Sequence, residues 1–231
     1  MPRLRTLRLC ILGCLAAGAA HAQVGLSVTA ESDHRFRGIS LSDGRPDLRL
    51  SVAYDHDSGV YAGAMTSPVR FAPGSHAVEL LGYVGYVTRW RPELSAEVGL
   101  TTSAFIGDAR YNYSELYVGL AGERWSARAY YSPSYFGFSQ RTVYVELDAN
   151  APLSTRWRVY AHAGALSALG TIAGDEGRSR TRFDTRIGAG YAATPSIDVQ
   201  LAWVSATRAG PYMVEYSARR DALVLSVTAS F

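Results

Sequence analysis

The chain of 231 residues has no lysine, so all 23 of its basic residues are arginine. Its two cysteines, Cys10 and Cys14, both fall within the first fifteen residues. Beyond residue 22 cysteine is absent, which excludes a disulfide framework, a thiolate metal site and a cysteine nucleophile there. Long hydrophobic runs are missing as well. The uncharged stretch 159–174 is interrupted by His162, Gly164, Gly170 and Gly174, so it is not a membrane helix. Excess positive charge is also lacking once the start of the chain is set aside. Arg3, Arg5 and Arg8 lie there, and 23 less these three leaves 20 arginines against 20 acids. A balanced chain of this kind argues against nucleic acid as a partner. What is abundant is apolar and aromatic residues, at 48% and 11%, a content typical of folded rather than disordered chains.

The first 22 residues read as a secretory signal. Residues 1–8 are positively charged, residues 9–20 are apolar, and Ala20-His21-Ala22 precedes Gln23 as a small-x-small cleavage site. The apolar stretch falls short of the roughly 20 residues that span a bilayer. A lipidation box at Ile11-Leu12-Gly13-Cys14 is the alternative, but it would leave too short an apolar region. The expected organisation is therefore a cleaved signal at 1–22 and one exported domain at 23–231.

From Gln23 onward the pattern is alternation of apolar and polar residues, the signature of strands with two unlike faces. In residues 47–54, Leu48, Leu50, Val52 and Tyr54 share one face, and Asp47, Arg49 and Ser51 the other. Residues 142–149 set Val143, Val145 and Leu147 against Tyr144, Glu146 and Asp148. Twelve such segments follow one another: 24–37, 47–55, 60–69, 76–90, 94–104, 113–122, 125–133, 141–151, 156–166, 180–191, 197–205 and 221–231. The third is ambiguous in phase around Gly63, and the fourth is long enough to hold a bulge. The connections alternate between short turns, such as His56-Asp57-Ser58-Gly59, and longer loops, such as 38–46, 167–179 and 206–220. An even strand number with short turns at one end and long loops at the other is the plan of an outer-membrane β-barrel.

A soluble β-sandwich alternates too, so the charges must decide. They fall in the polar phase, and the residues expected to line the interior are Glu31, Asp33, Arg35, Arg37, Asp47, Arg49, Glu79, Glu97, Glu115, Arg128, Glu146, Asp148, Arg158, Arg182, Asp184, Arg186 and Asp198. Asp55, Arg89, Arg156 and Arg180 share that phase. The apolar phase holds only Arg141 and Asp221, each at the start of its segment. A basic residue facing lipid at mid-depth costs about 2–4 kcal/mol, which explains such exclusion. Aromatic residues in the apolar phase gather at strand ends. Tyr54, Trp90, Trp125, Trp157, Tyr191 and Phe231 lie by the short turns, and Phe36, Tyr131, Phe183 and Trp203 by the long loops. Two such belts suit the two membrane interfaces. The expected fold is thus all-β: one antiparallel transmembrane barrel of about 12 strands, in contact with outer-membrane lipid and lipopolysaccharide.

The segments Ser32-Asp33-His34-Arg35-Phe36-Arg37-Gly38-Ile39-Ser40-Leu41-Ser42 and Asp55-His56-Asp57-Ser58-Gly59-Val60-Tyr61-Ala62-Gly63 resemble the start of the TorF family, a proteobacterial outer-membrane family of porin-like proteins with a poorly defined function. The similarity extends more loosely over later hairpins such as 113–119. His34 departs from the family pattern, where Tyr or Phe is usual; in the apolar phase it reads as an interfacial ring. The resemblance implies a porin-like barrel and names no solute. The terminal alternation Leu223, Leu225, Val227, Ala229, Phe231 likewise resembles the signal read by the barrel assembly machinery of bacteria.

For function, a narrow charged lumen passing small hydrophilic solutes or ions is the first expectation, since 12 strands lie between filled small barrels and wide porins. Ten arginines and eleven acids in the polar phase predict weak ion selectivity. The alternatives are a closed structural or adhesive barrel, plugged by charge pairs such as Arg35 and Arg37 with Asp47, and a barrel hydrolase. For a hydrolase, Ser32 and His34 would share a face, with no orienting carboxylate in phase. No nucleophile elbow, zinc-protease motif or phosphate loop occurs, and Asp175-Glu176 reads as a solvated pair. No catalytic residue, metal site or cofactor is therefore expected, and the sequence leaves the oligomeric state open.

Overall fold

A computed structural model describes residues 23–71, 75–137, 139–170, 179–207, 210–211 and 220–231. The signal segment 1–22 and the pair Asp175-Glu176 lie outside the described residues. Twelve strands form one closed antiparallel barrel: β1 (Gln23–Glu31), β4 (Asp47–Asp55), β5 (Val60–Val69), β6 (Ala77–Arg91), β7 (Leu94–Ile106), β8 (Tyr113–Ala121), β9 (Trp125–Ser132), β10 (Thr142–Pro152), β11 (Trp157–Ala168), β12 (Thr181–Ala192), β13 (Ile197–Ala206) and β14 (Ala222–Ser230). The short strands β2 (Arg35–Phe36) and β3 (Ile39–Ser40) form a separate hairpin. Each barrel strand pairs with its sequence neighbour, and β1 closes the ring on β14 with Ser27 opposite Ser230 and Glu31 opposite Ser226. Closure leaves no unpaired edge, which a sheet in lipid requires because no water is there to satisfy it.

The alternation in sequence becomes inside and outside. Along β10, Thr142 and Tyr144 are buried while Val145 and Leu147 are exposed. Leu223, Ile187 and Leu116 are more than half exposed on the outer face. An apolar exterior on every strand would be a severe aggregation hazard in water and is the expected surface in a membrane. The bulge anticipated in the long fourth segment is present, as a register shift between Arg89 and Arg91.

Inside, tyrosines lie across the glycines of adjacent strands: Tyr83 over Gly63, Tyr61 over Gly85, Tyr117 over Gly99 and Tyr160 over Gly188. Each is a directly opposed cross-strand pair. A Cβ at any of these glycines would collide with the ring, so the phase ambiguity around Gly63 reflects a packing role.

The first predicted segment, 24–37, is corrected. β1 ends at Glu31, and Ser32 closes its end by donating its amide to the Leu225 carbonyl at 2.8 Å and accepting the Leu225 amide on Oγ at 3.0 Å. Residues 33–42 then turn into the barrel instead of continuing up its wall. Alternation alone could not show this, because Asp33, Arg35 and Arg37 face the interior in either geometry. The turning points are left-handed backbone at Arg37 and Gly38, then at Asp43 and Gly44. Glycine enters that region without steric cost.

Candidate functional site

The interior divides into two halves. At the long-loop end it is filled. The inward strap 33–42 packs with Val69, Phe71, Phe105, Tyr113, Tyr135 and Phe136 into a buried cluster, stabilised by ring contacts such as Tyr113 on Phe136 at 4.7 Å. Phe36 joins this cluster, partly buried, and is not part of an outer aromatic belt. Its place at the tip of the β2–β3 hairpin turns its side chain towards the lumen.

The strap's polar groups bond among themselves and to the wall. Asp33 accepts from Arg35 Nε at 2.6 Å and from Ser40 Oγ at 2.5 Å. Arg35 donates through Nη1 to the carbonyls of Gly38 and Arg220, at 3.0 and 3.1 Å. The amide of Leu41 donates to the His34 carbonyl, and the amide of Arg70 to the Leu41 carbonyl, both at 2.7 Å. At the hairpin tip, Arg37 spans the lumen. Its guanidinium donates to Glu115 through two bonds of 2.9 and 2.7 Å and to the Tyr135 hydroxyl at 2.9 Å. It also lies 4.0 Å from the centre of the Tyr144 ring. Glu115 is on β8 and Tyr144 on β10, on the side of the ring opposite β1. On the rim, Arg110 donates to Asp108 at 2.7 and 2.8 Å and holds that carboxyl below its usual range.

His34 is corrected as well. It is not an interfacial ring but is 2% exposed inside the barrel. Its amide donates to Ser42 Oγ at 2.9 Å, and its Nδ1 lies 3.1 Å from Ser67 Oγ and 3.2 Å from Asp47 Oδ2. Serine, histidine and aspartate thus meet, yet serine and carboxylate contact the same ring nitrogen. A relay needs one on each nitrogen, so this is no hydrolytic triad. Ser32, paired with His34 in the sequence reading, is engaged on β14 instead.

The short-turn half is less filled and more polar. Arg128 donates to Glu97 at 2.6 and 3.2 Å, and Tyr61 donates to the same carboxylate at 2.7 Å. Arg158 donates to both oxygens of Asp198 at 2.6 and 2.7 Å. His162 is flanked by Asp148 on Nδ1 at 2.8 Å and by Asp184 on Nε2 at 3.0 Å, and Tyr130 donates to Glu146 at 2.9 Å. Arg186 faces inward opposite His162 and has no ion-pair partner among the described residues. The anticipated pairing of Arg35 and Arg37 with Asp47 is replaced: Arg35 takes Asp33, Arg37 takes Glu115, and Arg49 Nη1 lies 3.4 Å from Glu31. Asp198 pairs with Arg158. Arg182 and Asp184 are buried at the long-loop end, as is Glu79 at 1% exposure.

Of the residues assigned to belts, Tyr54, Trp90, Trp125, Trp157 and Phe231 are exposed on the outside near the short turns, and Tyr131, Phe183 and Trp203 near the long loops. Tyr191 is half-buried beneath Trp157, at 4.8 Å between rings.

The comparisons with known proteins agree with this architecture. A family model, Gcw_chp, described as a bacterial protein of unknown function, matches residues 16–231. No curated protein matches. Among solved structures, the chain is similar to the NanC porin at 13% identity and a TM-score of 0.59, over 88% of this chain and 98% of that one. It is similar to the KdgM porin at 13% identity and a TM-score of 0.56, over 90% of this chain and 99% of that one. A KdgM porin in complex with disordered oligogalacturonate matches at 11% identity and a TM-score of 0.55, over 91% and 99% of the two chains. At these identities the likeness is one of fold.

Proposed function

This chain belongs to the Gcw_chp family of bacterial proteins of unknown function, and we propose that it is a porin-like outer-membrane channel for small hydrophilic solutes or ions, constricted at its long-loop end by its own inward hairpin. One observation carries this reading: a closed ring of twelve strands turns its charges inward and its apolar side chains outward. Such a wall has use where it separates a polar path from lipid. The narrow gauge and the hairpin point to small solutes, and no sugar acid is assigned by likeness to the KdgM complex. The TorF resemblance is consistent with the same role.

Export by a signal at 1–22, insertion by the barrel assembly machinery through β14 and the Phe231 that follows it, and contact with lipopolysaccharide complete the proposal. A hydrolase role is set aside because His34 lacks relay geometry and His162 has both ring nitrogens engaged by carboxylates.

A second reading, a closed structural barrel, is favoured by the two-bond attachment of Arg37 to Glu115. Single-channel recording of the refolded protein in planar bilayers separates the two. Discrete conductance steps support the channel. Their absence in both the native protein and Arg37→Ala establishes the closed barrel.

A further inference from the structure

We propose that Glu31, His34 and Asp47 form a binding site for one divalent transition-metal ion, of the zinc class, that fastens the root of the inward strap to the barrel wall. Each of the three offers one ligand atom, and these atoms lie within 4.8 Å of one another. All three residues are buried, and they come from different pieces of structure: Glu31 from the end of β1, Asp47 from the start of β4, His34 from the strap between them. Glu31 and Asp47 are directly opposed across the β1–β4 pair, so the barrel itself sets the two carboxylates side by side.

The second observation is that this carboxylate pair is left incompletely satisfied. Glu31 Oε1 and Asp47 Oδ2 are buried and make no hydrogen bond, their ion contacts being Arg49 Nη1 at 3.4 Å and His34 Nδ1 at 3.2 Å. Glu79, opposite Ser67 in the β5–β6 register, has neither carboxylate oxygen bonded. Burying ionised carboxylates that make so few hydrogen bonds is expensive, and a bound cation lowers that cost. Glu31 and Asp47 supply the negative charge that attracts a cation, and Arg49 Nη1, 3.4 Å from Glu31 Oε1, offsets part of it. Arg70 is directed elsewhere, to the Ser42 carbonyl.

Geometry agrees. Zinc bonds imidazole nitrogen and carboxylate oxygen at about 2.0–2.2 Å, which puts tetrahedral donors roughly 3.3–3.6 Å apart. His34 Nδ1 and Asp47 Oδ2 already stand 3.2 Å apart. An imidazole among carboxylates selects zinc-like ions over calcium or magnesium, which prefer all-oxygen sites. Ser67 Oγ, 3.1 Å from Nδ1, would yield that nitrogen to the ion. The other such group among the described residues, Glu146, Asp148 and His162, is a weaker candidate because His162 already bonds Asp148 and Asp184 through its two nitrogens.

The test is calorimetric titration of Zn²⁺ into the full folded protein in detergent after chelator treatment. One ion per chain is expected, with a rise in melting temperature. Asp47→Asn and His34→Ala are expected to weaken binding by about 100-fold or more, while His162→Ala leaves it intact. Gel heat-modifiability verifies that each barrel is folded. Absence of stoichiometric binding to the folded native chain overturns the proposal, and so does undiminished binding by folded His34→Ala. Neither result depends on whether the barrel conducts.

Discussion

Arg37 and Glu115 are 78 positions apart in sequence, and they meet in the barrel interior through two bonds of 2.9 and 2.7 Å. Their side chains are 5% and 3% exposed. The pair joins the tip of a hairpin rooted on β1 and β4 to the opposite wall, so it acts as a bolt across the lumen.

Removing one partner of such a pair leaves the other charge buried and unpaired, a loss of about 3–5 kcal/mol. Arg37→Ala is therefore expected to lower the unfolding free energy by that amount, measured by denaturant titration in micelles or vesicles. The same substitution frees the hairpin tip. Single-channel conductance of Arg37→Ala is expected to exceed that of the native chain, and an unchanged conductance would show that the hairpin does not limit flow.

Gly38 follows Arg37 at a positive φ of 76°. A Cβ there would lie 2.6 Å from Ala206 Cβ and 2.8 Å from Asp184 Cβ. Gly38→Ala is expected to push the hairpin off the β12–β13 wall and cost about 1–3 kcal/mol. Gly44→Ala tests the same positive φ without neighbours, since nothing lies within 4 Å of a Cβ there. The smaller loss is expected at Gly44, and comparing the two melting curves separates backbone strain from collision.

Arg186 faces the lumen with no ion-pair partner among the described residues, whereas Arg128 and Arg158 are each held by a carboxylate. Pairing cancels the field of the latter two at a distance, and Arg186 keeps its own. Arg186→Ala is expected to move the reversal potential in a salt gradient towards cation preference. Arg158→Ala, which frees Asp198, should move it in the same direction at greater cost to stability. A shift towards anions in either variant would show that another group sets the selectivity.

Leu116 is 59% exposed on the outer face of β8, between the inward-facing Glu115 and Tyr117. Leu116→Arg places a charge in the lipid and is expected to destabilise the barrel by about 2–4 kcal/mol in bilayers. In detergent micelles, where water reaches the guanidinium more easily, the loss should be smaller. Equal losses in the two media would argue against lipid at this position.

Much of the barrel was legible in the sequence. The periodicity of residues 47–55 or 142–149 marks a strand with one polar and one apolar face, and side chains on a strand alternate by geometry. Charge excluded from the apolar phase points to lipid, and short turns alternating with long loops give the up-and-down order, as β4 to β14 show. What could not be read was the segment after Glu31. Asp33, Arg35 and Arg37 carry the same phase whether they climb the wall or fold through the lumen, so period alone is blind to the difference. Partners distant in sequence decide it: Ser32 on Leu225, Gly38 against Ala206, Arg37 on Glu115. The meeting of Glu31, His34 and Asp47 was hidden for the same reason, because His34 reads as outward-facing until the chain is seen to turn inward. Local alternation fixes which face each strand residue takes, since it depends only on the backbone. The filling of the interior depends on which side chains a closed ring brings together, and only the tertiary structure decides that.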